Sequence, residues 1–158
     1  MDVSLRPLNE SDYDRIIMVL NDWWGGRNMV DSLPRIFFKH FQTTSFVLEA
    51  NDEIVAFLCG FVSPTYPEQA YIHFSGVHPH WREQGLAKRI YNAFFDKAHQ
   101  KGCSEIYSIT SPVNKDSIAF HRKMGFEILP GNREVEGVSV TINYNGPGKD
   151  RVLFVKKL

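Results

Sequence analysis

Val77-His78-Pro79-His80-Trp81-Arg82-Glu83-Gln84-Gly85-Leu86-Ala87 has the composition of an anion cradle. Backbone N–H groups in the first turn of a helix lack intrahelical partners and sit at the positive end of its dipole. A phosphate placed there gains several hydrogen bonds at once, and Gly85 lets a bulky diphosphate approach the main chain. A second group of polar residues, Asn114, Ser117 and His121, stands at i, i+3 and i+7 and so shares one helix face. His121 can hand over a proton at neutral pH; the plainer alternative is a helix-surface histidine. On the strand side, alternation puts Tyr71, His73 and Ser75 on one face. His73 is the candidate base, with a packed strand histidine as its alternative and Glu68 and Asp22 as reserves.

A cradle of this kind needs a strand running in and a helix running out. Tyr71 to Val77 is rich in aromatic and β-branched residues, and Leu86, Ile90 and Phe94 repeat at helical spacing. Upstream, Val3 to Leu8 predicts a strand, Asn9 the N-cap of a helix to about Asn21, and Pro34 to Phe41 a second helix. Ser45 to Glu49 and Ile54 to Val62 predict a hairpin about Asn51-Asp52. Downstream, a helix over 84–101 leads to a strand from Glu105 to Ser111 and a helix from Lys115 to Met124. Strands at 127–129, 138–142 and 151–156 close the chain. Alternation of strand and helix in the middle argues for a mixed α/β sheet.

A chain of 158 residues suits one domain, read as 1–158. Eighteen basic and eighteen acidic side chains leave no field to hold a nucleic acid or an anionic membrane. No apolar run is long enough to span a bilayer, and Met1 to Pro7 lacks a signal-peptide pattern, so a soluble, cytoplasmic protein is expected. Cys59 and Cys103 read as buried hydrophobes. No pair of the six histidines has metal-ligand spacing, so no metal is expected.

Arg82-Glu83-Gln84-Gly85-Leu86-Ala87 resembles the Arg/Gln-x-x-Gly-x-Gly/Ala signature of the GNAT superfamily of acyl-CoA N-acyltransferases. The stretch from Asn114 to Phe126 resembles that superfamily's Asn-x-x-small-x-x-apolar-Tyr-x-x-x-Gly-Phe helix. The order of predicted elements is similar over nearly the whole chain. The resemblance implies a GNAT fold: a central mixed, largely antiparallel sheet flanked by helices and splayed at the cofactor-binding strand. It also implies acetyl-CoA as cosubstrate. The diphosphate would lie on the backbone of Gln84, Gly85, Leu86, Ala87 and Lys88 near the Arg82 side chain, and the pantetheine along the main chain of Gly76, Val77 and His78.

Asn114 and Ser117 would face the cofactor. The position of His121 usually holds a tyrosine that protonates the leaving sulfur, so His121 is the expected acid here, with Tyr144 next in line. Trp23 and Trp24 fall where the superfamily builds its acceptor pocket, although paired tryptophans also suit a core. The implied activity is direct acetyl transfer, in a ternary complex, to a small-molecule or peptide amine; a homodimer stays open. The alternative is an acyl-CoA-binding sensor or scaffold without turnover.

Overall fold

A computed structural model of the chain describes residues 2–158; Met1 lies outside them. In chain order the elements are β1 (Ser4–Pro7), α1 (Asp12–Trp23), α2 (Arg35–His40), β2 (Phe46–Ala50), β3 (Glu53–Val62), β4 (Gln69–Val77), α3 (Leu86–Gln100), β5 (Glu105–Thr110), α4 (Lys115–Lys123), β6 (Glu127–Ile128), β7 (Arg133–Val135), β8 (Val138–Val140) and β9 (Val152–Lys157). Seven strands form one sheet in the order β1-β2-β3-β4-β5-β9-β6. Every neighbouring pair in it is antiparallel except β4 and β5. This is the mixed, largely antiparallel sheet expected above.

The sheet separates two apolar layers, because inward residues alternate along each strand. On one face Leu8, Ile16, Leu20, Phe38 and Phe57 pack with α1 and α2. On the other, Leu58, Ile90, Phe94, Ile106 and Phe154 pack with α3 and α4. Cys59 and Cys103 are both buried and unpaired, as expected of small hydrophobes. Among the described residues no helix is long and apolar enough to cross a membrane.

Two local predictions are corrected. Helix α1 is regular from Asp12, a turn later than Asn9, and the Asp12 carboxylate folds back to accept the Asn9 N–H at 2.8 Å. Near the C-terminus the strand predicted over 138–142 stops at Val140 and pairs with Arg133–Val135, which sequence reading passed over. Glu136 and Gly137, at φ of 50° and 80°, make the two-residue turn between them. A glutamate is an unusual choice where both central residues need positive φ.

Asp12 is only 1% exposed. Arg6 grips it with two hydrogen bonds of 2.9 and 2.8 Å and also reaches Glu49. Burial alone would push the Asp12 carboxyl up; the Arg6 hydrogen bonds and the Asn9 N–H outweigh it and hold the pKa below the ordinary value. A depressed carboxylate stabilises the fold above its unfolded pKa, and that stabilisation is lost as pH falls through the folded value. Asp12→Ala should therefore cost about 3 kcal/mol near neutrality, the low end for breaking a buried pair. Urea unfolding checks this, and the gap to wild type should narrow as the buffer is taken down through the carboxylate range.

The feature that matters most for function lies in β4. It pairs with β5 only from Gln69 to Tyr71, opposite Glu105 to Tyr107. Beyond Tyr71 its edge toward β5 is open. On the other edge the register against β3 shifts, so that Cys59 faces Phe74 while Gly60 faces Ile72. His73 is thus an extra residue, a bulge that increases local twist. It also corrects the expected shared face of Tyr71, His73 and Ser75. His73 stacks on Phe37 of α2 at 3.9 Å between ring centres, whereas Ser75 meets the Tyr91 hydroxyl of α3 at 3.2 Å on the opposite face.

Candidate active site

The open edge of β4 leads directly into the cradle. His78 donates its backbone N–H to the Val55 carbonyl at 2.8 Å, so that amide is committed to β3. Alternation turns Gly76 the same way and aims the N–H of Val77 and of Ser75 into the gap. Of Gly76, Val77 and His78, expected to serve the pantetheine, Val77 is therefore the backbone donor. The His78 side chain is engaged elsewhere, with Nε2 3.0 Å from Glu53 and Nδ1 accepting from the His80 N–H.

After a short turn of 3-10 helix over Pro79–Trp81 the chain passes through Glu83 and Gly85, at φ of 63° and 77°, before α3 begins at Leu86. The first amide to bond within α3 is that of Arg89, to the Gly85 carbonyl. The N–H groups of Leu86, Ala87 and Lys88 are left as the unpartnered first turn that the sequence predicts. Gln84 and Lys88 are exposed beside them. Arg82 lines the larger cavity and is also tied to the backbone, Nη2 donating to the Trp23 carbonyl at 2.7 Å and Nε to the Val77 carbonyl at 3.3 Å. It ties the end of α1 to the end of β4. Arg89 is likewise occupied, donating to the Val3 carbonyl.

Two cavities meet above the splayed strands. The larger, about 850 Å³, runs from the cradle past Gly76, Val77 and Ala87 to α4. The smaller, about 300 Å³, lies on the Tyr71, His73 and Thr110 side. Ser75, Tyr91, Asn114, Ser117 and His121 line both, so the expected face of α4 does reach the junction. Asn114 uses Oδ1 to accept the Ser117 N–H, capping α4. No aspartate or glutamate lines the smaller cavity among the described residues.

At the junction the acid expected on His121 is corrected. The ring is 4% exposed and stacks on Phe154 at 4.4 Å between ring centres. Its Nδ1 lies 2.8 Å from the Ser117 carbonyl, which can only accept, so Nδ1 carries the proton. Burial pulls its pKa below the ordinary histidine value, against the smaller opposing effect of that hydrogen bond. In the neutral ring Nε2 is an acceptor, and the Tyr91 hydroxyl stands 3.2 Å away to supply the hydrogen. His121 has no proton to offer the cleft.

The hydroxyl at the junction belongs to Tyr91, bracketed by Ser75 and His121 and pushed up to about 12 by burial. Sequence reading missed it because Tyr91 lies one residue after Ile90 on a helix whose apolar face is core. Its neighbours Phe95, Phe120 and Phe126 confirm that setting. Only the unusual polarity of a tyrosine within that face signalled a role.

His73 fits the part of base better than its packed surroundings suggest. Nε2 donates to the Ser32 carbonyl at 2.7 Å, which leaves the Nδ1 lone pair as the acceptor. Burial lowers its pKa, so the ring is neutral near pH 7. The reserves are elsewhere: neither Glu68 nor Asp22 lines either cavity, and Tyr144 lines a third with Phe61 and Leu153.

The tryptophans divide. Trp23 is 4% exposed and packs against Phe57 and His78, so that most of it belongs to the core while its edge lines the larger cavity and not the smaller one. Trp24 lines both cavities, packs on Phe74, and lies so close to Gly76 that an added Cβ there would come within 2.6 Å of its ring. Among the described residues no cluster of three or more histidine, cysteine or acidic side chains is arranged to hold a metal.

Comparison with known proteins bears on this geometry. Among curated proteins the chain is similar to the L-2,4-diaminobutyric acid acetyltransferases of Marinococcus halophilus and Methylotuvimicrobium alcaliphilum. The first is 29% identical over 86 residues, 54% of this chain and 50% of that protein. The second is 30% identical over 81 residues, 51% and 47%. The chain thus spans about half the length of the curated relatives it matches.

Among solved structures it superposes on Ard1 from Thermoplasma volcanium with a TM-score of 0.81 at 15% identity, covering 100% of this chain and 99% of that one. It superposes on the diaminobutyrate acetyltransferase of Paenibacillus lautus, solved with its substrate and coenzyme A, with a TM-score of 0.71 at 21% identity, covering 99% and 95%. At such identities these likenesses establish the fold. The sequence profile of the acetyltransferase (GNAT) family matches residues 9–126, three-quarters of the chain including the cradle, β4 and α4, and the protein belongs to that family.

Proposed function

We propose that this chain transfers the acetyl group of acetyl-CoA to an amine acceptor directly, both substrates being bound at once. The observation that carries the reading is the continuity of one open strand edge, β4 beyond Tyr71, with the unpartnered amides at the start of α3. The residues present fit acetyl-CoA. An edge with free backbone groups accepts an extended amide-bearing arm as an added strand. The first turn of α3 suits a diphosphate, and the larger cavity gives both room. Acetyl-CoA supplies a thioester whose acetyl carbon is the electrophile.

The chain's own groups do the rest. The Val77 N–H is the donor for the carbonyl oxygen as negative charge develops there, a type of contact commonly worth several kcal/mol. Arg82 fixes Val77 by holding its carbonyl. His73 takes a proton from the acceptor amine through Nδ1, directly or by way of water, and Tyr91 gives its hydroxyl proton to the departing sulfur. In the unliganded chain that hydrogen is donated to His121 Nε2, so it turns from His121 to the sulfur as the thiolate leaves, while the Ser75 hydroxyl donates to the phenol oxygen.

Acetyl-CoA should raise the melting temperature, because it binds only the folded chain. Thiol release should then follow addition of amines from a panel that includes L-2,4-diaminobutyric acid, the compound named in the relatives' activity. Stabilisation with thiol release supports transfer. Stabilisation without release from any amine would make the chain an acyl-CoA sensor, and neither response would remove the cofactor assignment.

A further inference from the structure

Resting on the acetyl-transfer reading, we infer that Arg27 and Arg151 form an anion-binding subsite in the smaller cavity, and that the acceptor is a small amine carrying a carboxylate. Both side chains line that cavity, and no acidic residue does among those described. Neither arginine is in an ion pair with an acid among the described residues. Arg151 is half-buried. One of its nitrogens donates to the main-chain carbonyl of Asp150. The Asp150 carboxylate itself is turned away, accepting the Asn143 N–H at 2.8 Å and facing Arg133 at 3.7 Å. The nearest acid in the chain is therefore diverted from Arg151, the more buried of the two; Arg27 is exposed and stands where the two cavities meet, lining both.

Two guanidinium groups beside one cavity repel each other and attract an anion, and their planar forks match a carboxylate. The same charges work on the reacting nitrogen. Cations nearby disfavour an ammonium and lower the amine's pKa. A doubly cationic polyamine would suffer that repulsion with nothing to offset it, whereas a carboxylate on the same small molecule neutralises one arginine while leaving the amine to react. The flat wall of Trp24 and Phe74 alone would admit a cationic amine; the charge pattern argues against one. A lobe of about 300 Å³ is at the low end for small-molecule sites and leaves little room for a peptide.

The test compares amines that differ only in the carboxylate: L-2,4-diaminobutyric acid against 1,3-diaminopropane, and β-alanine against ethylamine. Thiol release gives kcat/KM, and calorimetric titration into the protein with coenzyme A gives affinity without turnover. The carboxylate-bearing member should be preferred by at least about tenfold, the scale of one charged hydrogen bond. Arg151→Gln and Arg27→Gln should each raise the KM of the acid about tenfold, leave the KM of acetyl-CoA unchanged, and shrink the preference.

Equal use of the decarboxylated amines would overturn the inference while leaving acetyl transfer standing. So would a rise in the acetyl-CoA KM alone, or a peptide α-amine outperforming every small acid. Absence of turnover with arginine-dependent binding of the acid would keep the subsite and remove the transfer reading. Absence of both turnover and binding for every carboxylate-bearing amine would overturn the subsite.

Discussion

Tyr91→Phe should lower turnover about a hundredfold, the low end for loss of an acid or base, while the KM of acetyl-CoA moves little. The ring stays, so its edge contacts with Phe95, Phe120 and Phe126 are kept and the fold should survive. What goes is the one hydroxyl bracketed by Ser75 and His121. The pH profile separates the two candidate acids. With its pKa pushed up to about 12, Tyr91 keeps its proton throughout the ordinary range, so wild-type turnover should rise as the base and the amine deprotonate and then hold level through about pH 9. A proton donated by His121, whose pKa lies below the ordinary histidine value, would be present only in acid. Activity would then fall as pH rises through neutrality. A descending limb there, or a Tyr91→Phe enzyme with wild-type turnover where chemistry limits the rate, would return the role to His121.

Gly85→Val should abolish the rise in melting temperature on adding acetyl-CoA while the unliganded protein stays folded. At a ligand concentration a hundred times the dissociation constant, that rise represents about 2.7 kcal/mol of stabilisation. The reason is conformational and not steric. A Cβ built on Gly85 meets nothing within 4 Å, but the backbone φ is 77°. A β-branched residue cannot hold that left-handed geometry without strain of about 1–2 kcal/mol. The turn would relax, and the amides of Leu86, Ala87 and Lys88 would no longer converge. Being exposed and outside the core, the turn can change without unfolding the chain. An unaltered shift in this variant would remove the diphosphate assignment.

Legibility in the sequence followed the range of the interactions concerned. The strand, turn and helix of the cradle were readable because they are local events, whereas the capping of α4 by Asn114 was not read. The succession of strands and helices followed from periodicity, and the mixed, largely antiparallel sheet from the family resemblance. What else escaped required contacts between distant segments. The bond from Arg82 to the Trp23 carbonyl at the end of α1 had no local signal. His121 looked like an acid until the Ser117 carbonyl, Tyr91 and Phe154 closed around it. The faces of His73 and Ser75 were misassigned because perfect alternation was assumed, and nothing in the residues of β4 themselves announces a bulge whose cause is the pairing with β3.

That extra residue in β4 makes the division of labour at this site a matter of counting and not of identity. His73 and Ser75 are two positions apart, yet one odd residue sends them to opposite sides of the same strand, toward α2 and toward α3. The base and the acid proposed above thereby approach the site from separate faces of a single strand. Both nevertheless border the smaller cavity, so an acceptor placed there would meet them from two directions. In a β4 of regular alternation the side chains of His73 and Ser75 would share one face.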